Sequence, residues 1–180
     1  VNTDIQLQQA FPIESNIFEF LNKYDLDLQK NLVLDSKCGN VQVQQSVGLF
    51  RMNRAVQYPF FPVVDTFNSK DSVAGIIVNK LEQILPLFPS EIKIDTVRSE
   101  NVLYVSTLFT SSNNSGLMSS NFMLSPDPQQ NPFLKLLGQS GKVLSALSSL
   151  KGGGELMLIS DSKFLSDEGG MSIPDNMVFL

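Results

Sequence analysis

Apolar residues along the chain are spaced at helical intervals near the start and at strand-like intervals afterwards. In Glu14–Tyr24 they recur every three or four positions, which predicts a short amphipathic helix. Lys30–Asp35 predicts a short strand, and the alternation in Asn40–Phe50 predicts a half-exposed one. The apolar run within Glu155–Ser160 predicts the best-buried strand of the chain.

The remaining segments give a mixed pattern with more strand than helix. β-Branched and aromatic residues predict strands in Ser90–Asp95 and Asn101–Ser112. Lys142–Leu150 fits either a helix or a strand. The polar stretch Ser111–Asn121 predicts a turn-rich loop, and Asn176–Leu180 predicts the start of a helix.

The order of these elements predicts an α/β fold within a single domain fragment, residues 1–180. A helix and a strand at the front and a strand and a helix at the back favour one sheet flanked by helices. The segment 57–139 is rich in predicted strand and contains most of the prolines. We therefore expect it to be a β-rich excursion from the α/β layer.

Composition excludes several classes of function. The chain has 180 residues, only 17% of them charged, and a net charge of −5, so it offers no basic surface for nucleic acid or anionic lipid. It has no histidine, which removes the usual general base and the commonest metal ligand. A surface rich in uncharged polar residues is typical of an extracytoplasmic bacterial domain. No apolar run reaches the roughly 18–20 residues that a membrane-spanning helix needs.

The first candidate site follows the apolar strand and consists of Asp161, Ser162 and Lys163. An acidic residue at a strand end can bind a ligand or a metal in α/β proteins. Two nearby carboxylates could share a hard cation such as Ca²⁺ with Asp161: Asp167 and Glu168. The simpler interpretation, which we favour, is a turn whose aspartate accepts hydrogen bonds from backbone N–H groups.

The second candidate site is an aromatic segment bounded by Pro59 and Pro62. Its side chains, Tyr58, Phe60 and Phe61, are of the types that often anchor protein interfaces. Prolines stiffen the backbone and lower the entropy lost on association. Burial of the rings against the sheet is the alternative.

Catalytic and phosphate-binding alternatives find little support in the sequence. The only cysteine, Cys38, has no histidine to activate it. Ser162 and Lys163 are chain neighbours, and neighbours seldom converge as a nucleophile and its base. The glycine-rich stretch Lys151–Gly154 precedes a predicted strand, whereas phosphate loops follow a strand and begin a helix.

Two segments of the chain resemble a known family. "NIFEFLNKYDLDLQKNLVLD", from Asn16 to Asp35, resembles its helix and following strand, although Asp25 stands where the family has glycine. "ISDSKFLSDEGG", from Ile159 to Gly170, resembles its later strand-and-loop motif, with "DNMVFL" following it, although Ser162 and Lys163 differ. The family is that of bacterial ABC-transport auxiliary components, in particular the GldG-like gliding-motility proteins.

The resemblance implies an extracytoplasmic, non-catalytic domain that has no cofactor and acts by protein or ligand binding. It implies an ABC permease and ATPase as partners, with membrane association through segments outside this chain. It also implies an α/β fold related to glutamine-amidotransferase-like and flavodoxin-like domains, without their catalytic residues. A solute- or glycan-binding module is the alternative function, and a hydrolase would require a base that the sequence does not supply.

Overall fold

The protein is β-rich, and the predicted α/β fold is wrong. The computed structural model describes residues 1–180 except 5, 48–49, 69, 71–72, 96, 128, 132, 165, 167–175, 178 and 180. Strand residues make up 44% of the structure and helical residues 10%. Two short α-helices and one 3-10 helix occur in the described part of the chain, and no sheet there is flanked by helices.

The described elements follow one another in a long series of short strands. The strands are β1 (Asn2–Asp4), β2 (Gln9–Phe11), β3 (Leu26–Leu28), β4 (Leu32–Asp35), β5 (Cys38–Val47), β6 (Phe50–Pro62), β7 (Ile92–Ile94), β8 (Val102–Thr110), β9 (Ser115–Met118), β10 (Val143–Leu150) and β11 (Glu155–Ile159). The helices are α1 (Ile17–Asn22), α2 (Ala74–Ile77) and the 3-10 helix (Phe133–Leu136).

All strand pairs among the described residues are antiparallel. The largest sheet has three strands in the order β11-β10-β8. Four two-stranded sheets complete the fold, and they pair β1 with β2, β3 with β7, β4 with β9, and β5 with β6. A flavodoxin-like sheet needs parallel strands joined by crossover helices, and this pairing scheme contains none of them.

The pairing scheme also decides one open assignment and corrects one prediction about the end of the chain. The ambiguous segment Val143–Leu150 is a strand because it lies between β8 and β11 and pairs with both. It is the buried central strand, whereas β11 lies at the edge and leaves Met157 39% exposed. The prediction that Glu155–Ser160 forms the best-buried strand is therefore wrong, because an apolar run does not reveal how many neighbours a strand has.

The predicted polar loop Ser111–Asn121 instead contains β9, which pairs with β4. Gly116 is required in this strand because a side chain there would clash with the backbone carbonyl of Leu136 in the 3-10 helix. Serine and glycine let the strand approach another backbone closely. The composition that suggested a loop thus reflects tight packing.

Strand β4 lies between two parts of the hydrophobic core. Its apolar residues are fully buried, and they alternate between two clusters as a strand's period of two requires. Val33 packs with Val64, Phe109 and Phe164 in one cluster. In the other, the members are Leu32, Leu34, Tyr58, Phe60 and Phe133, together with Ala10, Met118, Phe122 and Leu124.

Several predictions of single elements are confirmed. The helix predicted in Glu14–Tyr24 is α1, and the strands predicted in Lys30–Asp35 and Asn40–Phe50 are β4 and β5. Of the helix start predicted at Asn176–Leu180, residues 176 and 177 are helical, and residues 178 and 180 lie outside the described residues. The excursion 57–139 stays a prediction, and within it β7, β8 and β9 pair with strands outside it. None of the helices described is long and apolar enough to cross a membrane.

Candidate binding cleft and outer hairpin

Asp161 lies just after the end of β11. Its carboxylate accepts hydrogen bonds from two backbone N–H groups, one in its own turn and one on a distant segment. One carboxylate oxygen accepts from the Lys163 N–H at 2.7 Å and the other from the Leu87 N–H at 2.8 Å. The residue is only 6% exposed, and burial raises the pKa of its carboxyl above the ordinary value, although both hydrogen bonds oppose that shift. This geometry matches the turn interpretation that the sequence favoured.

Ser162 and Lys163, the other residues of the first candidate site, lie in the turn that follows Asp161. Ser162 is exposed and Lys163 is half-buried. Asp167 and Glu168, which in the alternative interpretation could share a hard cation such as Ca²⁺ with Asp161, lie outside the described residues. Within the described residues, no group of three or more acidic or cysteine side chains is arranged to hold a metal ion.

Two other buried aspartates work in the same way as Asp161. Asp25 accepts hydrogen bonds from the N–H and hydroxyl of Ser99. Asp35, fully buried, accepts from the N–H of Ser112 at 2.5 Å and from its hydroxyl at 2.6 Å. In each case the partner lies more than 70 residues away in sequence. These carboxylates therefore hold distant loops together.

Asp25 also explains a departure from the family pattern. Its backbone has φ = +58°, in the left-handed region that favours glycine and that aspartate tolerates better than most residues. Glycine, which the family segment that the sequence resembles has here, adopts this conformation without strain. In this chain the aspartate adds a side chain that binds the backbone of Ser99.

The aromatic candidate site is largely part of the core. Phe60 has no exposed surface, so the predicted partner surface cannot include it. Tyr58 is 5% exposed, and its hydroxyl donates to the carbonyl of Leu124 at 2.5 Å. Phe61 is half-buried and meets Phe88 edge to face, with ring centroids 5.0 Å apart. Residues Tyr58 and Phe60 alternate along β6, and the face that carries them is turned to the core.

A cleft of about 370 Å³, which no pattern in the sequence predicted, opens beside Phe61. Its lining includes three aromatic residues, which we call its floor: Tyr58, Phe61 and Phe88. It also includes β5 from Val41 to Gln44 and three residues from two loops: Gln8, Leu124 and Pro126. The lining contains no charged side chain, although three glutamines contribute to it.

The outer hairpin, residues 45–46 and 50–55, extends β5 and β6 beyond the cleft. Every one of these residues is exposed. Phe50 is 75% exposed and Met52 58% exposed. Phe50, Met52 and Arg54 alternate along β6 and therefore lie on one face of the hairpin. Residues 38–64 contain two arginines and no acidic residue, in a chain with 18 acidic residues against 13 basic ones.

Cys38 is half-buried at the start of β5. Burial raises the pKa of its thiol above the ordinary value of 9.0, the nearby Asp35 carboxylate adds to this shift, and a hydrogen bond with the Tyr58 backbone opposes it. A thiol with a raised pKa forms little thiolate near neutral pH. The position therefore lacks the features of a nucleophile.

These features define a β-rich domain whose buried carboxylates serve the fold and which presents an uncharged cleft and a hairpin with exposed apolar and arginine side chains. The chain belongs to the ABC_transp_aux family, described as an ABC-type uncharacterized transport system, whose model matches residues 2–177. It is therefore an auxiliary component of an ABC-type transport system. Comparison with curated proteins and with solved structures found no match.

Proposed function

We propose that this domain is a non-catalytic, extracytoplasmic part of its transport system and acts by binding the system's permease and ATPase assembly. The observation that carries the proposal is the outer hairpin. Membership of the auxiliary family supports a role in transport. The resemblance of Ile159–Gly170 to the gliding-motility motif favours that branch of the family.

The outer hairpin has the composition of a protein contact. Phenylalanine, methionine and arginine are enriched at interfaces, and these types alternate at Phe50, Met52 and Arg54. Burying an exposed Phe or Met side chain contributes about 1.5–3 kcal/mol. Because the strands pair with each other, the hairpin is already ordered before contact. Less conformational entropy is then lost on binding.

The charge distribution points to an acidic or neutral partner surface. Arg51 and Arg54 are both exposed on a hairpin without acidic residues. The body of the chain is acidic, so the hairpin is the part best suited to approach an acidic surface. The low content of charged residues supports an extracytoplasmic location, with membrane attachment through other segments.

Co-purification with the permease and ATPase tests this proposal. A double variant, Phe50→Ser with Met52→Ser, should lose most of the captured permease while unfolding at the same temperature as the wild type. The matched control replaces two apolar residues that are each 78% exposed elsewhere, Ile76→Ser with Val97→Ser. Equal capture by both double variants would contradict a hairpin contact.

A solute- or glycan-binding module is the second candidate function. The cleft beside Phe61 favours it, because aromatic faces and uncharged polar side chains are common in small-ligand sites. NMR signals of the cleft residues, recorded while neutral oligosaccharides are titrated into the protein, would measure this binding directly. Saturable shifts confined to the cleft would support the module.

A further inference from the structure

The cleft contacts four consecutive residues of β5, Val41 to Gln44. Successive side chains in a strand point to opposite faces of the sheet. A cleft on one face would therefore contact every second residue. Because all four residues line the cleft, we infer that it runs along the edge of the strand.

This edge of β5 has no strand beside it. β5 pairs with β6 on one side, and across the ranges given above no other strand pairs with it. An unpaired edge presents a row of N–H and C=O groups that can accept a further strand. The same cleft is lined by this strand segment and by the rings of Tyr58, Phe61 and Phe88.

The loop residues of the cleft lining are held in position by hydrogen bonds. The Leu124 N–H donates to the carbonyl of Gln8 at 2.8 Å, and the Leu124 carbonyl accepts from the Tyr58 hydroxyl. On the floor, the Tyr58 and Phe61 rings meet edge to face with centroids 4.9 Å apart. These contacts hold the residues of the lining in position.

The chemistry of the lining defines what can bind. An ionised group entering the cleft would lose hydration and meet no opposite charge. The glutamines Gln8, Gln42 and Gln44 can hydrogen-bond to uncharged amides. Four residues of strand span about 13 Å, which is the length of four residues of an extended peptide.

We propose that the cleft binds an extended peptide segment of about four uncharged residues, which adds to β5 as a third strand. Its backbone hydrogen-bonds to the free edge, and its apolar side chains pack on Phe61 and Phe88. Strand addition of this kind combines backbone affinity with side-chain selectivity. The inference does not depend on the outer hairpin, because Phe50 and Met52 do not line the cleft.

The first test measures binding of a fluorescein-labelled, end-blocked peptide of alternating valine and threonine to the full chain by anisotropy. Gln42→Glu with Gln44→Glu places two charges in the lining and should weaken binding at least tenfold. The matched control is Gln45→Glu, an exposed glutamine on the same strand outside the lining, and it should bind within twofold of the wild type. No saturable binding by the wild type, or equal loss in both variants, would overturn the proposal.

The second test asks whether the peptide backbone takes part. Two versions of the peptide carry N-methyl groups on alternate amides, in one frame or the other. Strand addition predicts at least tenfold weaker binding for one frame only, because only alternate amides face β5. Equal binding by both versions and the parent peptide would show docking through side chains alone and would overturn strand addition.

The remaining outcomes identify other occupants. Binding of a neutral oligosaccharide in place of the peptide would make the cleft a solute site and overturn the proposal. A concentration-dependent dimer in sedimentation that is abolished by Gln42→Glu with Gln44→Glu, without peptide binding, would assign the edge to a second copy of the chain. The Phe50→Ser, Met52→Ser variant should bind the peptide normally, which separates this inference from the hairpin contact.

Discussion

The carboxylate of Asp161 accepts a hydrogen bond at 2.8 Å from the backbone N–H of Leu87, which lies 74 residues earlier in the chain. The same carboxylate binds the N–H of Lys163 and so closes its own turn. One buried side chain thus ties the end of β11 to the segment that carries Phe88 and the floor of the cleft.

Replacing Asp161 with alanine should destabilise the fold. The substitution leaves the N–H groups of Leu87 and Lys163 without this acceptor, at a cost of about 1–3 kcal/mol in the free energy of unfolding. Asp161→Asn retains one acceptor oxygen and should cost less than alanine. Urea denaturation measures both values. A loss below about 0.5 kcal/mol for the alanine variant would show that the two hydrogen bonds contribute little.

The raised pKa of Asp161 predicts how the free energy of unfolding changes with pH. Burial raises the folded-state pKa above the ordinary 3.8, so the folded protein holds the proton more tightly than the unfolded chain does. The stability that comes from this proton is complete below pH 3.8 and is lost as pH rises through the raised value. As the pH rises from 3.8 through the raised pKa, the wild type should therefore lose stability relative to Asp161→Asn. Urea denaturation at a series of pH values from acid to neutral measures the free energy of unfolding of both proteins. A difference between them that stays constant with pH would contradict this prediction.

Phe164 should contribute far more to stability than a phenylalanine on the outer hairpin. It is 1% exposed and packs against Phe179, with ring centroids 5.8 Å apart. Phe164→Ala should cost about 3–5 kcal/mol. Phe50→Ala is the matched control and should stay within about 0.5 kcal/mol, because Phe50 is 75% exposed. Similar losses in both variants would place Phe50 in a packed environment.

Cys38 should react slowly with thiol reagents in the folded protein. Its raised pKa lowers the thiolate fraction at pH 8, and its half-buried position limits access. Alkylation by iodoacetamide should be several-fold slower in the native chain than in the chain unfolded by urea. A native rate above the unfolded one would identify an activated thiol and reopen the case for nucleophilic chemistry.

The sequence predicted local elements better than it predicted their pairing. α1 and β4 follow from periodicity because each pattern is set by residues near one another in the chain. Val143–Leu150 was ambiguous because only its neighbours, β8 and β11, determine that it is a strand. The glycine turn Lys151–Gly154 could have indicated that this segment is a strand paired with the next one, because four residues can join antiparallel strands but cannot form a parallel crossover.

The candidate sites show the same contrast between features set by nearby residues and features set by distant segments. The turn role of Asp161 could be predicted because an aspartate acts on backbone groups close by. The burial of Phe60 could not, because the prolines beside it indicate stiffness but not which face is covered. The cleft draws its walls from residues near 8, 41, 61, 88 and 124, and no local pattern brings those segments together.

The central claim, that the outer hairpin contacts the transporter, is tested most directly by crosslinking in intact cells. A photoreactive amino acid is placed at Met52 in one variant and, as the matched control, at Val97, another exposed apolar position. The account predicts a crosslink to the permease or ATPase from position 52 and none from position 97. Crosslinks from position 97 alone, or from neither position in cells that assemble the complex, would contradict it.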